Sequence, residues 1–299
     1  MMQAVANFGN GQSGVQIRAV VAPNPSMMTQ NGTNTYIVGS ERVAVIDPGP
    51  RIEAHKLAIL AALSPGESIS HILVTHTHLD HSELAADLAQ AAGAPIYAFG
   101  GAVAGRSKAM QRLAARMAIG GGEGVDHAFR PNIVLTDGDR IIGESWTLEA
   151  IHTPGHMGNH LCFAAGDTLF CGDHVMGWST SLISPPDGDM TDYMDALQKL
   201  EARQWTLFLA GHGAAVTNPA RRLADLITHR RAREAALIGV IRSGVSDIRE
   251  MTSMVYPDLA APLIPAARRN VLAHLIDLEG RNLVLARPYP SPYAVFDLV

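Results

Sequence analysis

Seven side chains in this sequence have the types and spacing of metal ligands, and four of them lie in Thr75-His76-Thr77-His78-Leu79-Asp80-His81. The stretch follows Ile72-Leu73-Val74, an apolar run that reads as a buried strand. In an extended segment, side chains two apart point the same way, so His76 and His78 converge. Asp80 and His81 fall where the chain should turn into a helix over Ser82–Ala92, and they aim at a neighbouring point. One metal would not draw so many ligands from one short loop; two would. The other three are His156 in Thr153-Pro154-Gly155-His156, Asp173 in Cys171-Gly172-Asp173, and His212 in Gly211-His212-Gly213. Each follows an apolar or β-branched run (Trp146–Ile151, Thr168–Cys171, Leu207–Ala210) and is expected in a loop at a strand end. Neutral imidazoles with carboxylates suit zinc, and equally iron or manganese, whereas an all-oxygen set would suit magnesium or calcium. Two such cations close together lower the pKa of a shared water and polarise a substrate oxygen. A lone histidine of this kind reads as an ordinary polar loop residue; seven together do not.

The elements that must position these residues alternate. Val15–Ala22, Thr35–Val38 and Val43–Asp47 read as strands, the last ended by the turn Asp47-Pro48-Gly49-Pro50. Ile52–Leu63 is apolar at helical spacing and stops at Ser64-Pro65-Gly66. A strand (Ile72–Thr75), the helix Ser82–Ala92 and a strand (Ile96–Ala98) follow, so helices should pack on a sheet. Gly100-Gly101 and Gly120-Gly121-Gly122-Glu123-Gly124 bracket a stretch rich in Ala, Arg and Met. Residues 102–131 are expected to be a helical insertion, either a mobile cap over the metals or a surface excursion unrelated to them. After His212, Asn218–Val240 reads as a long amphipathic helix, and Ser246–Val255 and Pro265–Leu278 as two more. A ribbon of Asn282–Ala286 and Tyr293–Leu298 completes the chain. This divides it into residues 1–215 and a small domain over 216–299.

At 299 residues and 47% hydrophobic, the chain can bury a large core. It has no run of about 18 apolar residues, the length a membrane span requires. Met1–Gly14 lacks the charged-then-apolar pattern of a secretory signal. Cys162 and Cys171 are the only cysteines, which excludes a disulfide framework and points to a reducing cytoplasm. Both read as buried apolar residues rather than ligands. A net charge of −5 argues against a surface devoted to nucleic acid or anionic membrane. Two basic clusters remain, Lys108 with Arg112 and Arg116, and Arg221-Arg222 with Arg230-Arg231 and Arg233. Each is either a solvated helix face or an anchor for an anionic substrate.

The HxHxDH pattern, followed in order by His156, Asp173 and His212, resembles the metallo-β-lactamase superfamily of hydrolases, with matching spacing across residues 16–215. That resemblance implies an α/β fold, the αββα two-sheet sandwich with metals at its edge. It implies that His76, His78 and His156 hold a first metal, and Asp80, His81 and His212 a second. Asp173 would bridge them together with a water or hydroxide. Asp80 would also steer the water's proton. His160, four residues beyond His156, is the candidate for contacting substrate or protonating the leaving group; a core or supporting role is the alternative, as for His174. His55, His71, His127, His152, His229 and His274 read as structural or surface. A closer resemblance is to the lactamase-beta-like-2 subgroup. It rests on Asn31-Gly32-Thr33-Asn34-Thr35-Tyr36, Asp192-Tyr193-Met194, and His229-Arg230 with Arg233-Glu234. It implies a winged-helix-like C-terminal domain. Arg268-Arg269 is the only basic pair on the last helix of that domain, which favours packing or a homodimer over DNA binding.

The implied reaction is hydrolysis of an ester, thioester or phosphodiester, on a small molecule or on RNA. Asp80 with a bridging Asp173 resembles the glyoxalase II and RNA-processing branches, leaving β-lactam hydrolysis a minor activity. Animal members of the subgroup are endoribonucleases on single-stranded RNA. A di-iron redox protein is the non-hydrolytic alternative, but those members usually carry HxExDH and a flavodoxin-like domain, and position 78 here is His. Specificity is expected from the loop Gly177–Asp189, with Trp178 and Pro185-Pro186.

Overall fold

A computed structural model of the chain describes residues 5–7, 14–116, 119, 121–122 and 124–299. Strands β1 (Val5–Asn7), β2 (Ile17–Val21), β3 (Asn34–Val38), β4 (Arg42–Ile46), β5 (Ser68–Leu73), β6 (Ile96–Ala98) and β7 (Ile133–Val134) form one sheet in chain order. Its pairs are antiparallel through β4 and parallel from β4 to β7. The crossovers between parallel strands carry α1 (Glu53–Ala61), α2 (Leu79–Ser82), α3 (Ala85–Ala92) and α4 (Lys108–Ala114). Strands β8 (Arg140–Ile142), β9 (Thr147–His152), β10 (Leu161–Ala165), β11 (Thr168–Gly172) and β12 (Leu207–Ala210) form the second sheet.

Side chains alternate across each strand, and this sorts the apolar residues into layers. Ala44 and Ile46 of β4 meet Leu161, Phe163 and Ala165 of β10 between the two sheets. Their neighbours Val43 and Val45 face outward onto Ile59 of α1 and Leu88 of α3. Cys162 and Ala164 of β10 face the opposite way, onto Tyr193 and Leu197 of α5 (Met190–Glu201) and Leu223 and Leu226 of α6 (Pro219–Arg242). Helix, sheet, sheet, helix is the expected αββα sandwich. Both cysteines are buried free thiols in that outer layer, and burial pushes the Cys162 thiol up to about 12.

The 24-residue helix α6 starts at the Asn218 cap and runs out of the sandwich. At about 1.5 Å per residue it is long enough to serve two cores. Its Leu237 and Ile241 pack with Met251 of α7 (Ile248–Val255), Leu275 of α8 (Ile264–Gly280) and Phe296 of the ribbon β13 (Val284–Arg287) with β14 (Val295–Leu298). Helix α8, expected to end at Leu278, runs on to Gly280. Among the described residues no helix is long and apolar enough to cross a membrane.

One expectation needs correction. The helix predicted over Ser82–Ala92 is two pieces, because His78 stays extended (φ −76°, ψ 143°) and caps the short α2 that carries Asp80 and His81. Of the helical insertion expected over 102–131, as a cap or a surface excursion, residues 117, 118, 120 and 123 lie outside the described ones. Its one described helix, α4, sends Met110 and Leu113 into the C-terminal core together with Ile119. The stretch beyond is tied to the metal loop, Leu79 N–H donating to Gly124 O (2.8 Å) and Asp126 N–H to Thr77 O (2.7 Å).

Phe163 is fully buried between the sheets. Its replacement by alanine should cost about 3–5 kcal/mol of unfolding free energy, read from urea denaturation.

Candidate metal centre

All seven predicted ligands meet where the loops after β5, β9, β11 and β12 converge at one edge of the sandwich. They fall into adjoining groups whose ligand atoms lie within 4.8 Å of one another: His76, His78 and His156; Asp80, His81 and His212; and Asp173 with His76 and His81. His78 Nδ1 faces His76 Nε2 and His156 Nε2, each at 3.0 Å. His81 Nε2 faces His212 Nε2 at 3.3 Å, and His212 Nε2 lies 3.2 Å from Asp80 Oδ2 and 3.3 Å from Asp173 Oδ2.

The far side of most rings is fixed by an acceptor, which sets the tautomer. His156 Nδ1 lies 2.7 Å from Leu182 O, His212 Nδ1 3.2 Å from Gly32 O, and His81 Nδ1 2.9 Å from Asp47 Oδ2. An N–H on each of those nitrogens leaves the Nε2 lone pair aimed into the cluster. Asp47 does more: its Oδ1 accepts the Thr75 N–H (2.7 Å) and its Oδ2 the Thr75 hydroxyl (2.8 Å), locking the start of the metal loop. Gly211 is required by proximity, since a Cβ there would lie 2.5 Å from Asp173 Oδ1.

Burial lowers His76, His78 and His156 below the ordinary imidazole value, His78 to about 3, so these three are neutral donors of lone pairs. Burial also opposes a charge on His81 and His212. There the carboxylates win: Asp80, Asp173 and Asp47 hold His81 well above its usual value, and Asp173 with Asp80 pushes His212 up to about 9. Burial would raise Asp80 and Asp173 in turn, but His81 and His212 hold both below the usual carboxylate range.

The donor set fits metal ions. Three nitrogens bound to one zinc at about 2.0–2.1 Å in a tetrahedron stand about 3.3 Å apart, close to the spacing of His76, His78 and His156. Asp173 Oδ1 is buried with no hydrogen-bond donor, a lone pair suited to a cation.

Other expectations fare differently. His160 is fully buried behind His76, its Nδ1 2.9 Å from the Thr153 hydroxyl, and it does not line the cavity that opens onto the ligands. That is the core or supporting position weighed as its alternative: its ring backs the metal loop. His174 is buried likewise. Lys108 and Arg112 do not line the cavity either, and Arg116 lies over the Tyr289 ring. Arg222 and Arg230 are spent on main-chain carbonyls. His229, read as structural or surface, does line the cavity. Asp47 was missed as well; its sequence signal was an acid at a strand end before Pro-Gly-Pro, which reads equally as a turn, and the structure holds it at φ +50°. The Asn31–Tyr36 motif acquires a physical role: Gly32 O holds His212, Asn34 Nδ2 donates to Ala210 O and Gly213 O, and the Thr33 hydroxyl donates to Asp80 Oδ2 (3.3 Å).

Fold and ligand geometry together define a class. Residues 28–212 match the Metallo-beta-lactamase superfamily, and residues 248–287 the Beta-lactamase associated winged helix domain. The chain belongs to the metallo-beta-lactamase superfamily and is a hydrolase of it. It is 29% identical to a Beta-lactamase-like protein 2 homolog of Drosophila melanogaster, over 87% of this chain and 86% of that protein. It is 28% identical to an atrochrysone carboxyl ACP thioesterase of Paecilomyces divaricatus, over 80% of this chain and 69% of the relative. A Beta-lactamase domain protein from Burkholderia ambifaria shares the fold, with a TM-score of 0.78 at 19% identity over 98% of this chain and 93% of the other.

Asp47→Asn replaces one acceptor oxygen by an amide and should weaken zinc binding about 10–100-fold, measured by competition with a chromophoric chelator. Zinc must also displace the proton that Asp173 and Asp80 hold on His212. Loading at pH 7.5 should therefore release protons to an indicator dye, and zinc affinity should fall as the pH is lowered.

Proposed function

We propose that this protein hydrolyses carboxylic thioesters or esters of an apolar acyl group, using two divalent cations. Zinc is the first choice and iron or manganese the alternatives, on the chemistry of the donors. His76, His78 and His156 would hold one cation, and Asp80, His81 and His212 the other, with Asp173 between them.

The observation that carries the acyl reading is the composition of the cavity, about 520 Å³ in volume. His78, Asp80, His156, Asp173 and His212 lie at its inner end. Its walls include Met27, Met176, Trp178 and Leu182 from the sandwich and Tyr256, Leu259 and Leu263 from the C-terminal part. No lysine or arginine lines it among the described residues. A nucleic-acid groove needs cations to track phosphates. An apolar wall instead gains free energy from every buried methylene of an acyl chain, about 0.8 kcal/mol each.

Cations bound by these triads would lower the pKa of a water between them and polarise the scissile carbonyl. The residues do the rest. Asp80, partly exposed and steadied by Thr33, is the carboxylate placed to take a proton from that water and pass it toward the leaving group. The apolar walls keep bulk water from the reacting carbonyl and orient it by holding the chain behind it. Similarity to a protein named as a thioesterase supports this choice of bond.

The test is a panel on the zinc-loaded protein: acyl thioesters of increasing chain length, p-nitrophenyl esters, bis-p-nitrophenyl phosphate, nitrocefin and single-stranded RNA. Thioesters or esters with longer acyl chains should give the highest kcat/KM. RNA or the phosphodiester turning over faster than any acyl substrate would overturn the acyl reading. Leu263→Trp, which narrows the far wall, should lower kcat/KM for long chains about tenfold while sparing acetyl substrates.

A further inference from the structure

Arg230 on α6 is 2% exposed and forms no salt bridge among the described residues. An unpaired guanidinium at that depth is unfavourable, and its buried Nε has no acceptor, so its two Nη groups carry its hydrogen bonding. Its Nη2 donates to the Ser181 carbonyl, its Nη1 lies 3.4 Å from Asn270 Oδ1 on α8, and its plane sits over Tyr193 at 5.1 Å. The same Asn270 Oδ1 accepts the Ile183 N–H at 3.0 Å. Two C-terminal helices thus hold both ends of Ser181-Leu182-Ile183.

The other side of that tripeptide faces the ligands. Leu182 O accepts from His156 Nδ1 at 2.7 Å. The Ser181 hydroxyl donates to the Asp173 carbonyl at 2.6 Å, with the His174 carbonyl at 2.9 Å. One short segment therefore orients a terminal ligand and the shared carboxylate, and it is itself gripped from α6 and α8.

We propose that Arg230 and Asn270 are positioning residues for the metal centre, acting through residues 181–183. The C-terminal winged helix is in this view part of the scaffold that sets His156 and Asp173, whatever else it does. The inference rests on the seven residues holding cations but is independent of which bond is cut.

The test uses the full chain, stripped by chelator and reloaded. Zinc affinity is read by competition with a chromophoric chelator, and ligand geometry by the visible absorption of the cobalt(II) form. Arg230→Met and Asn270→Leu should weaken zinc about 10–100-fold and shift the cobalt bands. Asn270→Asp, which keeps the oxygen that receives the Ile183 N–H, should restore both. Met251→Ala, in the C-terminal core, serves as a control of general destabilisation: it should lower Tm and leave affinity and spectrum as in the parent. If Arg230→Met does not fold, Asn270→Leu decides. Parental zinc affinity and cobalt bands in folded Asn270→Leu would overturn the proposal. So would an equal loss in Met251→Ala at matched Tm, since the effect would then be global. A parent chain that binds no zinc would overturn this and the metal-centre reading together, whereas zinc binding without acyl hydrolysis would leave it standing.

Discussion

Two carboxylates and five imidazoles are gathered into one largely buried pocket, and their mutual electrostatics constrain everything around them. Asp80 and Asp173 share His212 Nε2 at 3.2 and 3.3 Å, so two negative charges must be balanced within a few ångströms. Removing charge from water is expensive unless an opposite charge or a metal compensates. Protons on His81 and His212 supply that balance in part, yet His81 Nε2 and His212 Nε2 face each other at 3.3 Å, where two imidazolium N–H groups would repel. Divalent cations satisfy both demands, cancelling the carboxylates and using the facing lone pairs.

The fold serves that constraint by stiffness. Each ligand leaves a strand whose neighbours are packed on both faces, and each ligand loop is tied across to another part of the chain. Asp47 ties the end of β4 to Thr75 and His81. Gly32 and Asn34 tie β3 to the His212 loop. Ser181 and Leu182 tie Asp173 and His156 to the C-terminal helices through Arg230 and Asn270. The cavity inherits the same construction: its near wall belongs to the sandwich and its far wall to α8 and the segment that leads into it. Both parts of the chain therefore line the approach to the ligands.

Much of this was legible in the sequence, for reasons tied to particular residues. His76, His78, Asp80 and His81 are adjacent in the chain, so local geometry alone brought them together. The apolar run Val43-Ala44-Val45-Ile46 marked a strand, and Pro265 marked the first turn of α8. What escaped depends on contacts distant in sequence. Nothing local distinguishes Asp47 in a turn from Asp47 gripping His81. Arg230 looked like one of several charges on a helix face, because its burial arises from Tyr193 and Asn270, 37 and 40 residues away. His160 is the opposite case: closeness to His156 in sequence left a cavity role and a core role open, and the turn between them puts the ring behind His76. The anchoring of α4 was hidden because Met110 and Leu113 pack on helices more than a hundred residues further on.

The most direct measurement is anomalous diffraction at the zinc edge from crystals of the loaded protein. The account predicts two peaks, one amid His76, His78 and His156 and one amid Asp80, His81 and His212, with Asp173 oxygens at bonding distance from both, about 2.0–2.2 Å. A single peak, or two peaks with Asp173 bonded to neither, would contradict it.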